Sequence, residues 1–220
     1  MRKTNAGLLT EPYVAQVERW PQVGRHIMAQ FDDASVVVYQ AYCREIAQYA
    51  LEHGHFGGPF SLDRMSWIKP NFLWMMYRCG WSTKGNQEVT LAIRLRRSAF
   101  DEILRGAVHS TYVPEVYGSR ERWQQEIAGS CVRVQWDPDH DPSGASVQRR
   151  AVQLGLRGEI LAKYAKAWIV DIEDVSGFAI SQAQHAVRPY VGLLTPKETV
   201  YPVSDRETAE RLGIDEVGHD

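Results

Sequence analysis

Two kinds of hydrophobic pattern alternate along the chain, and they predict a mixed architecture. Gly24 to Phe31 and Ser35 to Tyr42 read as two strands around the turn signal Asp32-Asp33, the second a β-branched run closed by Tyr39. Arg44 to Glu52 then places Ile46, Ala47, Ala50 and Leu51 on one stripe, the signature of an amphipathic helix ended by Gly54. A second helix is expected with Pro70 in its first turn and Gly80 at its end. That puts Trp67 on the approach and Trp74 inside the helix.

Further on, Val89 to Leu95 reads as a mostly buried strand and Ser98 to Ala107 as a helix. Ser130 to Trp136 is a strand leading into the acidic, proline-containing loop 137–144. Gln148 to Lys166 looks largely helical, and Ala167 to Ile172 extended. Arg188 to Val203 forms an extended strap, and Ser204-Asp-Arg-Glu207 has capping-box spacing before a last short helix. Without a strict strand-helix-strand rhythm the fold class is α+β, one domain with a mixed or mostly antiparallel sheet flanked by helices. Its expected limits are an N-terminal arm at 1–20, the domain at 21–187, and the strap and helix at 188–220.

Composition narrows the class only a little: 220 residues, 44% hydrophobic and 24% charged, can bury one generous core. No apolar run approaches the roughly 18 residues of a membrane span, and no cleavable leader pattern is present, so a cytoplasmic protein with no membrane partner is expected. Cys43, Cys79 and Cys131 are widely spaced and form no CxxC, which predicts free thiols.

Charge placement says more, because residues 64–105 carry eight Lys or Arg against three Asp or Glu, while 198–220 carry two against seven. A basic middle suits an anionic ligand; a solvated face balanced by an acidic neighbour is the plainer reading. Within it, residues 64–81 hold three of the seven tryptophans beside Arg64, Lys69 and Arg78. Rings interleaved with cations can stack a base while holding phosphate, and the same residues serve ordinary core packing.

Neither Gly54-His-Phe-Gly57-Gly58 nor Gly155-Leu-Arg-Gly158 fits a phosphate-binding loop. Asp137, Asp139, His140 and Asp141 satisfy no metal-site spacing and are taken as an exposed acidic loop, so no metal is expected. A carboxylate at a strand mouth near cations and rings is what sugar transfer through an oxocarbenium-like state requires, and Glu88 with Arg25 and Gln40 could supply it. Each has an alternative: Glu88 an exposed strand end paired with Lys84, Arg25 a partner of Asp32 or Asp33, Tyr39 and Tyr42 half-buried sheet residues.

The blocks Val36-Val-Val-Tyr-Gln-Ala-Tyr42, Arg64-Met-Ser-Trp-Ile-Lys-Pro-Asn-Phe-Leu-Trp-Met-Met-Tyr-Arg78, Lys84 to Glu88 and Gln153-Leu-Gly-Leu-Arg-Gly158 resemble those of an uncharacterised domain family of unknown function, over about residues 20 to 190. The order of strand, helix, Ser-Trp segment, helix and Glu-led strand is more loosely similar to the ADP-ribosyltransferase superfamily. Its first strand carries a His or Arg where this chain has Gln40. That resemblance implies NAD as substrate, Arg25 or Gln40 on its ribose or diphosphate, Tyr39 or Trp67 against the nicotinamide, and Glu88 as the catalytic carboxylate, with ADP-ribose passed to an acceptor. The nucleotide-binding set expected on these grounds is Tyr39, Trp67, Lys69, Trp74, Arg78 and Lys84. A rival expectation is a non-catalytic RNA- or nucleotide-binding module using Trp67, Trp74 and the Arg94, Arg96, Arg97 cluster.

Overall fold

The computed structural model describes residues 2–3 and 7–216. Its frame is a run of strands that begins with β1 (Ser35–Tyr42), β2 (Ser66–Ile68) and β3 (Val89–Arg96), and ends with β4 (Val132–His140), β5 (Ser146–Leu156) and β6 (Ile169–Asp174). Antiparallel pairing orders one sheet β6-β3-β1. In the other sheet, β5 pairs with β4 along most of its length and with β2 on its opposite edge. A reciprocal pair of backbone hydrogen bonds between Tyr39 and Lys69, 2.7 and 3.2 Å, joins the sheets through β1 and the residue after β2. The result is one α+β domain.

β1 is buried on nearly its whole length because both of its faces are covered. Val36, Val38 and Tyr42 enter the larger core with Leu91, Ile93, Val152 and Leu154. Val37 and Tyr39 face a second core built with Phe72, Met75 and Met76. Helix α1 (Arg44–His53) follows as the sequence predicts, and Gly54 ends it in the left-handed conformation at φ 68°. Helix α2 (Phe72–Cys79) starts at Asn71, whose side chain accepts the Trp74 amide at 2.7 Å, so Pro70 precedes the cap instead of lying in the first turn.

Several expectations fail for identifiable reasons. Residues 146–156 are strand β5, not helix; only Gly158–Lys163 is α-helical, followed by a π-helical turn Tyr164–Trp168. Residues 24–31 do not form one continuous strand: around the Asp32-Asp33 turn only Phe31 pairs antiparallel with Val36 of β1, with the Val37 N–H donating to the Gln30 carbonyl at 2.9 Å. Gly24–Arg25 pairs in parallel with β5, and Met28–Ala29 pairs with Thr199–Val200. β4 continues to His140, and Asp139 and Asp141 are buried, so the exposed acidic loop is not found. Buried carboxylates need partners: Asp139 takes Arg149 at 2.6 Å, and Asp141 accepts Arg188 and Tyr190, each at 2.7 Å. The strap is punctuated by turns and by short strands at 194–196 and 199–200. The last helix, Arg206–Leu212, has no side-chain cap bond. Residues 8–20, expected in an arm, contribute Leu8, Tyr13 and Trp20 to the second core.

Candidate functional site

Strand alternation assigns a row of side chains to one face of the joined sheets. Tyr39 lies opposite Ala92 on one side and Lys69 on the other, and Gln153 opposite Gln135; Trp67 lies opposite Gly155, and Gly155 opposite Arg133. α2 covers the β1 part of this face, with Phe72 edge-on to Tyr39 at 5.5 Å. The parts near Trp67, Gln135 and Asp137 stay half-exposed.

Trp67 is fixed here by the absence of a side chain at Gly155. A Cβ there would stand 3.0 Å from Trp67 Cζ2 and 2.6 Å from Met65 Sδ. Beside it Lys69 is 7% exposed, and among the described residues its amine finds one hydrogen-bond acceptor, the Trp67 carbonyl at 3.5 Å. An ammonium with three donors and one distant acceptor is poorly served for its burial. Burial, with the Arg78 charge adding to it, lowers Lys69 to about 8. Arg78 is exposed and stands over the Trp74 ring at 6.0 Å.

Across the face, Asp137 is held by both oxygens. Gln135 Nε2 donates to Oδ1 and Gln153 Nε2 to Oδ2, each at 2.8 Å. Trp74 and Tyr77, one helical turn apart, stack on His140, with centroids 5.5 and 3.6 Å away. α2 also borders a cleft of about 340 Å³, lined by Leu73, Met76 and Tyr77 on one side and by the 141–144 turn on the other.

Trp67, Lys69, Trp74 and Arg78 are therefore neighbours around α2 and β2. Glu88 precedes β3, and alternation puts it on the same face as Thr90 and Ala92; its Oε2 is buried without a hydrogen-bond partner among the described residues. Lys84 is exposed in the turn between α2 and β3. Tyr39 is fully buried and offers no open face to a ligand. Gln40 points to the opposite side, donating to Ser66 Oγ at 2.8 Å and accepting from Tyr164 at 2.5 Å inside the larger core. Arg25 lies at the far end of β5, where its amide donates to Asp215 at 2.8 Å. The structure thus does not gather Glu88, Arg25 and Gln40 at one point.

Arg94 sits at the other end of β3, near Ser35 and Asp32 at 3.1 and 3.7 Å, and Arg97 stands over Phe31 and Tyr201. Ser35 and Ala41 are six residues apart on β1, so this cluster is roughly 20 Å from Trp67 along the strands.

The matched region embraces every residue of this face. The chain belongs to the DUF4291 family, a domain of unknown function matched over residues 26–201. No curated protein matches it. The DUF4291 match includes β1 to β6 and α2 and so the whole frame that carries Trp67, Lys69 and Asp137. Among the described residues no cluster of three His, Cys, Asp or Glu is close enough to hold a metal, and no helix is long and apolar enough to cross a membrane.

Asp137 reads in the sequence as part of an exposed acidic loop, and its clamp by Gln135 and Gln153 is hidden because 148–166 reads as helix rather than as the strand that brings Gln153 beside it. The missed signal was period two: Val152, Leu154 and Leu156 face the larger core while Gln153 and Gly155 face the opposite side, where Trp67 and Asp137 lie.

Proposed function

We propose that the protein is a nucleotide-directed transferase that moves ADP-ribose from NAD to an acceptor, with the dinucleotide lying across the Trp67 face. The observation that carries this reading is the poorly served Lys69 ammonium between a half-exposed indole and the Arg78 guanidinium. A diphosphate would give both cations their counter-charge, and Trp67 offers a ring for a base. Glu88 lies two strand spacings from β2, about 10 Å, a separation that a dinucleotide spans. As the nicotinamide bond loosens, the ribose gains positive charge, and the Glu88 carboxylate opposes it while the cations hold the diphosphate in place. The reading includes a cytoplasmic location, supported by three free cysteines.

The test is a thermal-shift series with NAD, ADP-ribose, ATP and short RNA at millimolar concentration, paired with an assay of NAD cleavage. Stabilisation by NAD and ADP-ribose with cleavage of NAD is expected, and Glu88→Gln should slow turnover about 10²-fold with little change in melting temperature. Stabilisation by RNA alone would replace this reading with that of a nucleic-acid-binding module. Stabilisation by none of the four would remove it.

A further inference from the structure

Asp137 differs from an ordinary surface carboxylate in how firmly it is aimed. Each oxygen accepts one glutamine amide, from β4 on one side and from β5 on the other, and Gln153 is itself 9% exposed. Two held oxygens leave two outward acceptor positions, one on each, in a fixed geometry. On the same sheet face is the Lys69 amine, more than nine-tenths buried; Asp137 gives it some counter-charge at a distance, but its one hydrogen-bond acceptor among the described residues is the Trp67 carbonyl at 3.5 Å, so its donors stay open to a further anionic group. A ligand that meets both needs brings negative charge and paired hydroxyl donors. Phosphorylated ribose carries both.

We propose that Asp137, clamped by Gln135 and Gln153, is the specificity residue of this site: it accepts the vicinal hydroxyls of the ligand's ribose and rejects a ribose phosphorylated there. The inference rests on the nucleotide reading above and adds the class of nucleotide to it. A free 2′,3′-diol presents two donors to two acceptors. A 2′-phosphate removes one donor and sets a dianion against a carboxylate, and a 2′-deoxyribose leaves one acceptor unmet. Gln135 and Gln153 are positioning residues, acting only through Asp137.

The full chain is titrated with NAD, NADP and 2′-deoxy-NAD, following tryptophan fluorescence, alongside Asp137→Ser. NAD should bind at least ten-fold more tightly than either analogue, and Asp137→Ser should weaken NAD about ten-fold while leaving NADP unchanged or tighter. The ligand comparison in the unsubstituted protein stands even if the variant does not fold. Equal affinity for NAD and NADP overturns the role of Asp137 and leaves the nucleotide site standing. No binding of any of the three overturns both.

Discussion

Trp67 lies over Gly155 on the neighbouring strand, and the site depends on that missing side chain. A methyl group at position 155 would meet both Met65 and the indole edge. Met65 can swing aside; the ring, pinned between strands, must shift. Gly155→Ala is therefore expected to cost about 1–3 kcal/mol and to alter tryptophan fluorescence. A denaturation midpoint and emission spectrum unchanged from the parent would show that the indole is not held by this contact.

Lys69 separates a structural role from a binding role. A buried ammonium with one acceptor at 3.5 Å burdens the fold. Lys69→Met should leave stability equal or raise it by ~1–2 kcal/mol at pH 7, while abolishing the stabilisation that the proposed function expects from ADP-ribose. Urea unfolding with and without ligand checks both halves. A marked loss of stability would instead make Lys69 part of the core.

Arg149 and Asp139 form a pair whose side chains are 6% and 1% exposed, with Arg149 also bonding the Pro21 carbonyl and standing over Trp20 at 5.0 Å. Removing one charge strands the other in the interior. Arg149→Met should cost about 3–5 kcal/mol, and adding Asp139→Asn to it should cost less than the sum of the two single changes. A double-mutant cycle by urea unfolding measures that coupling, and strict additivity would contradict the pairing.

Glu198 gives stability a pH dependence of known sign. Its carboxyl accepts the Phe72 amide at 2.6 Å and Asn71 Nδ2 at 2.9 Å, yet burial pushes it up to about 8. The folded state then holds a proton that the unfolded state releases above the ordinary value of 4.5. Its contribution is complete below about 4.5 and declines as pH rises to about 8, with a slope of at most about 1.4 kcal/mol per pH unit. The urea midpoint of Glu198→Gln should vary less between pH 5 and 8 than that of the parent. The slope is the readout, since the amide also disturbs the Asn71 contact.

The frame was legible wherever one period dominated. Val36 to Tyr42 read as a strand and Val89 to Leu95 as a mostly buried one, and α1 showed its stripe and its terminal glycine, because burial and local propensity agree there. Trp67, Lys69, Trp74 and Arg78 were legible as a place, because a dense aromatic-cationic block is visible without its fold. Asp137 and Glu198 were not. Asp137 gains meaning only from Gln153 across a strand pair, and Glu198 only from Asn71, 127 positions away in sequence. Such pairings leave no local period. Tyr39 and Gln40 show the converse: neighbours on one strand, they face two different cores, and only the pairing with Lys69 and Ser66 reveals which.

The start of α2 is closed by a residue made 126 positions after it. Until position 198 has emerged from the ribosome, the Phe72 amide lacks its acceptor, and the backbone bridge from Thr199–Val200 to Met28–Ala29 cannot form. The helix that carries Trp74 and Arg78 must therefore wait, incompletely capped, while more than a hundred further residues are added. A nascent chain stalled before that point would display the aromatic block without its final seat, so this face is completed only once residue 198 has left the ribosome.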